Sequence, residues 1–268
     1  MTTPPLPDRP TRGRTAPGRL RALDAWVCRA EAPLLARADG PWATAAFVDL
    51  GLGEDPATTV EAAAAFRALR PDLPVIGVDR EATRVEAARA VAPGDYRLGT
   101  FDLPLAPGES VRLLRVMNLL RAHRPADVPA IHAHLGAQLL DGALLLEGTS
   151  DPAGGVLVTH LLRRRGADLV REGLLFHTDF RQGFAPILFR DRLPRDLRHV
   201  PPDHPLRGFF AAWTAAWHTV RGPDAVGSFV VTVPALATRL DGIDLDPWLA
   251  DHGTLVWRPP GGVPAGGP

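Results

Sequence analysis

A glycine-bearing turn near the start of the chain constrains the fold more than any other feature. The apolar run 47–50 is followed by Gly51 and Gly53, and then by an alanine-rich stretch with helical spacing. A second apolar run ends at Asp79, thirty residues after Asp49. Strand, glycine turn, helix and strand in this order are typical of a βαβ unit with two parallel strands.

The charges around this turn favour a cationic ligand over a diphosphate. A pyrophosphate would lie against the turn and the start of the helix, where unpaired N–H groups attract anions. Asp49, Glu54 and Asp55 surround that position, and Pro56 stands where a dinucleotide-binding motif has its third glycine. S-adenosylmethionine (SAM) carries a sulfonium and an ammonium but no phosphate, so the three carboxylates suit it. Asp79 is placed to accept hydrogen bonds from ribose hydroxyls.

The same segment resembles the first motif of the class I (Rossmann-like) SAM-dependent methyltransferases, acid-x-Gly-x-Gly-x-Gly. Residues 49–53 match its first five positions, and Asp79 matches the acid after the second strand. Asp55 stands at the third glycine of the motif, so the loop is expected to hold the methionine end of SAM differently. A longer pattern is similar to a poorly characterised bacterial subgroup of methylases. It comprises residues 48–59, 118–121 and 146–149.

Periodicity along the rest of the chain predicts an α/β fold. The alternation of strand and helix patterns indicates a Rossmann-like three-layer α/β/α sandwich, whose mostly parallel sheet has an antiparallel strand at its late edge. The predicted strands are 46–50, 74–79, 96–101, 111–117, 143–147, 169–180 and 184–189, followed by strand-like segments at 229–233 and 254–257. The predicted helices are 20–35, 56–69, 81–92, 126–140, 156–165 and 205–220.

Four segments are predicted along the chain. Residues 1–17 are a Pro/Arg-rich tail without fixed structure. Residues 18–225 form the methyltransferase-like domain, including an N-terminal helix that either lies over the SAM pocket or caps the sheet. Residues 226–258 are an appendage on the same domain, and residues 259–268 are a second disordered tail, rich in Gly and Pro.

Candidate ligand contacts are read from the carboxyl ends of the predicted strands, where open parallel sheets bind their ligands. The candidate cofactor-binding residues are Asp49, Gly51, Gly53, Asp79, Arg80, Thr100, Phe101 and Asn118. The resemblance implies an acid after the third strand that binds adenine, and Thr100 stands in its place. Either Thr100 or Asp102 remakes this contact, or Phe101 packs on the adenine ring.

The catalytic residue is unknown from sequence, because methyl transfer from a sulfonium depends mainly on alignment and on exclusion of water. Two candidates are Asn118, where the resemblance implies a residue between SAM and acceptor, and His177 on a late strand. Asn118 can also be interpreted as a loop asparagine with a purely structural role. Glu147 is expected either to face the acceptor or to cap the next helix. His132 and His134 lie two apart on a predicted helix and point in different directions, so no metal site is predicted.

Composition excludes several classes of function. The 268 residues have a formal net charge of zero, so no global field attracts nucleic acid, although the Arg-rich tail leaves RNA contact open. The single cysteine, Cys28, excludes an internal disulfide. No apolar run approaches the roughly 20 residues that span a bilayer, and the N-terminus lacks a signal-peptide pattern. A cytoplasmic location without membrane contact is expected, and the sequence does not indicate an oligomeric state.

These observations predict a SAM-dependent methyltransferase whose acceptor, a small molecule, RNA or protein, is unknown. The alternative is a catalytically silent SAM-binding relative that acts as a scaffold or RNA-associated protein, which the altered third glycine and the missing adenine-binding acid favour. An NAD-dependent oxidoreductase is disfavoured by Pro56 and by the carboxylates of the turn.

Overall fold

The central sheet has eight strands, divided into a parallel and an antiparallel half. The computed structural model describes residues 15–266, so most of the predicted N-terminal tail lies outside the described residues. The strands are β1 (Ala46–Leu50), β2 (Val75–Asp79), β3 (Asp95–Leu98), β4 (Val111–Met117), β5 (Leu144–Ser150), β6 (Val156–Arg165), β7 (Asp168–Thr178) and β8 (Thr254–Trp257). Their order in the sheet is β3-β2-β1-β4-β5-β6-β7-β8, with parallel pairing up to β5 and antiparallel pairing beyond it. The predicted Rossmann-like α/β fold is confirmed, and its antiparallel part is larger than the one strand expected.

Eight α-helices accompany the sheet within residues 15–266. They are α1 (Arg21–Ala30), α2 (Ala32–Ala36), α3 (Ala57–Arg67), α4 (Ala82–Val91), α5 (Val128–Ala137), α6 (Pro205–Val220), α7 (Ala225–Ala237) and α8 (Pro247–Asp251). None of the helices in this range is long and apolar enough to cross a bilayer.

The hydrophobic core forms two large clusters, and the strands β6, β7 and β8 contribute side chains to both of them. One contains side chains of β1, β4 and β5 with α1, α3 and α5, and the strands β1, β4 and β5 are buried along their whole length. Parallel strands covered on both faces need continuous apolar runs, which is why the sequence pattern located them well. The second cluster contains residues of β6 and β7 with α6 and α7, including the aromatic residues Phe209, Phe210 and Trp213 of α6.

The prediction of a helix at residues 156–165 is wrong, because this segment is strand β6. The connection from β5 to β6 is a short turn in which the Asp151 carboxylate accepts hydrogen bonds from the N–H groups of Ala153, Gly155 and Val156. A turn of this length joins antiparallel strands, whereas a parallel crossover needs a dozen or more residues. The chain therefore folds straight back beside β5.

The predicted strand at residues 184–189 is also absent. Pro186 instead begins a 3-10 helix, Pro186–Arg192. Proline lacks the N–H that a strand needs for its ladder and fits the first turn of a helix. The antiparallel partner of β7 at the outer edge is β8 rather than this segment.

Residues 229–233, predicted as strand-like, lie inside α7. Phe229, Val233 and Leu236 are buried, and their spacing of four and three residues places them on one helical face. Asp224 caps the helix by accepting a hydrogen bond from the N–H of Gly227. Packing of this face therefore outweighs the strand preference of the valines.

The end of the chain is ordered where the structure describes it, in contrast to the tail predicted at residues 259–268. Val263 is buried, and its N–H donates a hydrogen bond of 3.0 Å to the carbonyl oxygen of Arg171 in β7. One apolar side chain among glycines and prolines is thus enough to attach the segment to the sheet.

The close approach of β5 and β6 gives a first prediction. A Cβ on Gly148 would overlap the carbonyl oxygen of Val158, so Gly148→Ala should lower the free energy of unfolding by about 3 kcal/mol or more, at the upper end of overpacking costs. Gly208 lies exposed in α6, where an added Cβ would meet no atom within 4 Å, so Gly208→Ala should raise it by roughly 0.5–1 kcal/mol. Urea denaturation of both variants measures the difference; equal effects of the two would contradict the strand pairing.

Candidate functional site

The centre of the carboxyl edge of the sheet is the point where the strand order changes direction. From β1 the chain proceeds outward to β2 and β3, then returns to β4 on the other side of β1 and continues to β5. Open α/β sheets bind ligands at such a switch point, outside the carboxyl ends of the strands. The ends of β1 and β4 are therefore the centre of the candidate site.

The glycine turn after β1 has the backbone geometry that only glycine adopts easily. Gly51 has φ +98° and Gly53 has φ +77°, both in the left-handed region. The N–H of Gly51 donates to the Val78 carbonyl oxygen at 2.7 Å, and a Cβ on Gly51 would lie 3.0 Å from the Leu119 side chain. The turn is thus tied to β2 on one side and covered by Leu119 on the other.

Asp79 lies at the end of β2, next to this turn, as the sequence predicted. One carboxylate oxygen accepts a hydrogen bond of 3.1 Å from the Gly53 N–H. The other accepts from the Glu81 N–H at 3.0 Å and from Arg84 Nη1 at 3.4 Å. Asp79 is buried, and through these three donors it holds the glycine turn and the start of α4 in register.

Asp49 occupies a different environment from the one predicted. Its carboxylate accepts hydrogen bonds from Arg115 Nε and Nη2, at 3.0 and 2.7 Å, and from the Thr59 hydroxyl at 2.6 Å. The group is buried and already has a cationic partner, Arg115, which reduces its effect on a ligand at the turn. Of the three carboxylates that the sequence places there, Glu54 and Asp55 are the exposed ones.

Arg115 joins the N-terminal helix to the centre of the sheet. Its Nη1 lies 2.5 Å from Asp24 Oδ1 in α1, and its Nη2 also donates to the Thr58 carbonyl oxygen at 2.9 Å. Burial raises the pKa of Asp24 to about 6, although the attraction of Arg115 acts in the opposite direction. Of the two placements predicted for the N-terminal helix, this contact supports a cap on the sheet.

Asn118 follows β4 and has φ +63°, a left-handed conformation that asparagine tolerates better than most residues. Its N–H donates to the Gly148 carbonyl oxygen at 2.8 Å. Its side-chain amide donates to the Ser150 hydroxyl at 3.0 Å and accepts from the Ser150 N–H at 3.0 Å. Asn118 is half-buried and fastens the end of β4 to the end of β5.

The segment before α1 crosses the same edge, which the sequence did not indicate. The Gly18 N–H donates to both carboxylate oxygens of Glu61 in α3, at 2.9 and 2.8 Å. Arg19 Nε donates to the Ser150 hydroxyl at 2.9 Å and to the Asp151 carbonyl oxygen at 3.0 Å. Residues 18 and 19 therefore bridge α3 and the end of β5.

The candidates after β2 and β3 lie on the outer part of the edge. Arg80 forms an ion pair of 3.3 Å with Glu81. Thr100 is exposed, while Phe101 is half-buried with its ring centroid 5.5 Å from that of His123. β3 is separated from β1 by β2, a distance of about 10 Å. This spacing allows one ligand to extend from the glycine turn to Thr100 and Phe101.

The structure does not bring His177 together with Asn118. His177 lies on β7, three strands from β4, and strand spacing puts them about 14 Å apart. It is buried, and its Nδ1 lies 3.2 Å from the Thr254 hydroxyl. Burial lowers the pKa of His177 to about 4, so the ring is neutral at pH 7. Its contacts are those of a core histidine between two antiparallel strands.

Glu147 neither faces the carboxyl edge nor caps a helix. It belongs to a separate buried cluster with His132, His160, Arg171 and Asp196. The sequence missed this cluster because residues 156–165 were expected to be helical, and the pairing of Glu147 with His160 exists only in the β5–β6 ladder. The available signal was an acid inside an otherwise apolar strand.

Comparison with solved structures gives distant similarities to methyltransferases. Magnesium protoporphyrin IX methyltransferase from Synechocystis PCC 6803, with bound S-adenosylhomocysteine (SAH), is 16% identical, with a TM-score of 0.36 over 49% of this chain and 54% of that one. Human N-acetylserotonin methyltransferase with SAM is 19% identical, with a TM-score of 0.32 over 49% and 36%. A plantazolicin methyltransferase with SAH is 8% identical, with a TM-score of 0.32 over 48% and 52%.

The chain thus spans from about a third to about half of the length of these structures. No protein-family model matches the sequence, and comparison with curated proteins gives no match. All three TM-scores are below 0.5, so these superpositions establish neither the activity nor the acceptor of this chain.

Arg115 provides the prediction for this site. Arg115→Met leaves Asp24 and Asp49 buried without their cation, and the free energy of unfolding should fall by roughly 3–5 kcal/mol. Arg124→Met removes a solvent-exposed pair with Asp127 and should leave the free energy nearly unchanged. Urea unfolding at pH 7 measures the free energy of unfolding of both variants. If Arg115→Met lowers it only slightly, the buried network does not hold the site together.

Proposed function

We propose that the carboxyl edge binds SAM and that the chain is a methyltransferase. The observation that carries this proposal is the glycine turn of β1, with both glycines at positive φ, bonded directly to Asp79 at the end of β2. Asn118 stands on the other side of the same switch point, at the end of β4. In this arrangement the glycine turn would contact the cationic chain of a nucleoside ligand, and Asp79 at the end of the neighbouring strand would contact its ribose.

Charge supports a sulfonium ligand rather than a dinucleotide. Glu54 and Asp55 are exposed on the turn, and Asp79 lies beside it. The carboxylates of Glu54 and Asp55 would repel a pyrophosphate placed at the start of α3, whereas they attract an ammonium or sulfonium group. The pairing of Asp49 with Arg115 weakens this contrast but does not reverse it.

The proposed roles follow from position. Gly51 and Gly53 let the backbone approach the methionine part of SAM. The Asp79 carboxylate has about four acceptor positions, three of them used by protein donors, and the remaining one is assigned to a ribose hydroxyl. Asn118 borders the space between SAM and the acceptor. Asp49 acts indirectly, by holding the turn through Arg115.

The remaining candidate cofactor-binding residues lie at the ends of β2 and β3, away from the centre of the sheet edge. Thr100 and Phe101 are assigned to the adenine side, with Arg80 beside them on the β2 end. The role of His177 in catalysis stays an untested prediction. The acceptor is unassigned, and transfer itself requires alignment of the acceptor with the methyl carbon more than any acid or base.

Titration calorimetry with SAM and SAH tests the proposal. The wild-type chain should bind at least one of them, and Asp79→Asn should weaken binding roughly 10- to 100-fold by removing a charged acceptor. Asp95→Asn is a matched control, because Asp95 is an exposed acid paired with Arg97 at the start of β3, and its binding should equal that of the wild type. Far-UV circular dichroism checks that each variant is folded.

Two results would contradict SAM binding. One is the absence of heat with both ligands for a folded wild-type chain. The other is tighter binding of NAD than of SAM, which would favour an oxidoreductase instead.

A catalytically silent relative is the second candidate function, and specific contacts favour it. The carboxylates of Asp49 and Asp79 already have protein donors, and Gly18 and Arg19 bridge part of the edge that an acceptor would approach. Incubation of the chain with methyl-labelled SAM and a fractionated cell extract separates the two functions. Label in any metabolite, RNA or protein fraction, lost in Asp79→Asn, establishes the enzyme; binding without label supports the silent relative.

A further inference from the structure

Four arginines lie together beside the turn that follows β4. One lies in the 3-10 helix Leu120–Ala122, and three lie in or directly after the 3-10 helices Pro186–Arg192 and Arg195–Leu197. Arg195 Nε donates a hydrogen bond of 2.8 Å to the His123 carbonyl oxygen, which joins the two parts of the chain. We call these four residues the arginine cluster: Arg121, Arg192, Arg195 and Arg198.

The guanidinium groups of the cluster have neutral partners. Arg198 Nε donates to the Leu193 carbonyl oxygen at 3.2 Å, and Arg198 Nη2 and Arg192 Nη1 each lie 3.4 Å from the Asp191 carbonyl oxygen. Arg121 is exposed, and the other three arginines are half-buried. None of the four forms an ion pair with an acid among residues 15–266. Backbone carbonyls orient a guanidinium but do not cancel its charge.

The acids of the same segment do not offset these charges. Asp196 is buried and directed at the core, where its Oδ1 lies 3.0 Å from His160 Nε2 and its Oδ2 lies 2.5 Å from Arg171 Nη1. Asp191 is the other acid between residues 186 and 198, and it is exposed. The cluster is therefore a local excess of positive charge in a chain whose formal net charge is zero.

The four charges are close enough to act on one another. Burial lowers the pKa of Arg198, and the positive charges of Arg121, Arg195 and Arg192 lower it further, while Asp191 opposes this change. Like charges that are held together in half-buried positions repel one another. The fold thus maintains a repulsive arrangement that a bound anion would relieve.

The cluster borders the space that lies between SAM and the acceptor in the proposed site. Arg121 follows Asn118 by three residues. Its charge also reaches Arg19: burial lowers the pKa of Arg19, Asp151 opposes this, and Arg121 adds to it. Arg19 and Asn118 both donate to the Ser150 hydroxyl, at 2.9 and 3.0 Å. The contacts of Ser150 therefore connect the neighbourhood of the cluster to the candidate site.

The carboxyl edge has two regions of opposite charge. The exposed acids Glu54 and Asp55 lie on the turn after β1, and the arginine cluster lies beyond the end of β4. The acidic region is the one proposed to hold the cationic part of SAM. The basic region suits a second ligand of the opposite sign.

Phosphate is the anion that fits this region best. Guanidinium groups bind phosphate through paired, charge-assisted hydrogen bonds. A phosphate monoester carries about −1.5 to −2 charges at pH 7, so it neutralises more of the cluster than one carboxylate does. A nucleic-acid surface needs basic groups along several successive phosphates, whereas these four come from two short segments, and the neighbouring Arg124 is already paired with Asp127.

We propose that the arginine cluster binds the phosphate group of a small methyl acceptor and positions that acceptor beside Asn118. The inference rests on the proposed function, because it assigns the acceptor of the same site. In the transfer, a lone pair of the acceptor atom forms the bond to the methyl carbon while the C–S bond breaks. The C–S electron pair stays on the sulfur of SAH, and a hydrogen displaced from the acceptor atom leaves as a proton to water.

Titration calorimetry with inorganic phosphate tests the anion site in the absence of SAM. At pH 7 and constant ionic strength the wild-type chain should bind phosphate in the millimolar range and acetate at least about tenfold more weakly. Arg121→Gln and Arg195→Gln should each weaken phosphate binding roughly tenfold or more, because each removes a charged donor. Arg121 is exposed, so its variant decides the result if Arg195→Gln does not fold by circular dichroism.

Arg164→Gln is the matched control for these variants. Like Arg195, Arg164 is half-buried and donates to a backbone carbonyl oxygen, that of Ala167 at 2.6 Å. It lies next to the turn between β6 and β7, at the opposite edge of the sheet. Its variant should bind phosphate as the wild type does.

A second measurement connects the anion site to the acceptor. Arg121→Gln should bind SAM and SAH as the wild type does, because neither ligand has a phosphate. Methyl-labelled SAM, incubated with the wild-type chain and the small-molecule fraction of a cell extract, should give a labelled product that an anion exchanger retains. Phosphatase treatment should release this product from the exchanger, and Arg121→Gln should form less of it at limiting acceptor.

Several results would overturn the inference. Phosphate binding that is absent in the wild type, or equally weak in Arg164→Gln, contradicts a specific anion site. Acetate binding as tight as that of phosphate contradicts a phosphate ligand. Loss of SAM binding in Arg121→Gln assigns the cluster to the carboxylate of SAM. A single-stranded RNA whose binding falls steeply with salt and is lost in Arg121→Gln assigns the cluster to a polyanion.

The labelling result separates this inference from the proposed function. Label found only in products that the exchanger does not retain contradicts a phosphorylated acceptor and leaves the methyltransferase intact. Absence of label from every fraction contradicts the acceptor role of the cluster, even if phosphate binds. Absence of SAM and SAH binding removes the proposed function itself.

Discussion

The structure around the glycine turn depends on one buried cation. Arg115 sits in the middle of β4 and binds Asp49 of β1 and Asp24 of α1 at once. Two carboxylates share one guanidinium in a fully buried position, so any loss of this arrangement leaves charge in the core. The turn after β1 is therefore positioned by a network behind it, on the side away from Leu119.

The parallel half and the position of its glycine turn were predictable because both follow from short-range patterns. β1 and β4 appear in sequence as mainly apolar runs, interrupted by Asp49 in β1 and by Arg112 and Arg115 in β4, and Gly51 and Gly53 mark the turn between strand and helix. Asp79 falls where the sequence predicted it. The direction of a side chain was not predictable: Asp49 lies on a recognisable motif, yet its partner Arg115 is 66 residues away in the sequence.

The antiparallel half was predicted poorly. The alternation of strands and helices in the first half of the chain was expected to continue, and the turn residues before β6 were given less weight than this expectation. β6 is an apolar run preceded by an Asp-Pro and a Gly-Gly pair, and this turn chemistry favours a hairpin. In α7 the valines favour a strand, and the helix exists because Phe229 and Leu236 have an aromatic core to cover. The cluster around Glu147 was missed together with β6, because its members meet only when β6 and the 3-10 helix at Asp196 are in place.

The backbone amide of Gly18 and the guanidinium of Arg19 give the start of the described chain a role at the sheet edge. The Gly18 N–H donates to Glu61, and the Arg19 guanidinium donates to the Ser150 hydroxyl. Both contacts lie near the glycine turn and Asn118. Proteolytic trimming past Arg19 therefore removes contacts that join α3 to the end of β5.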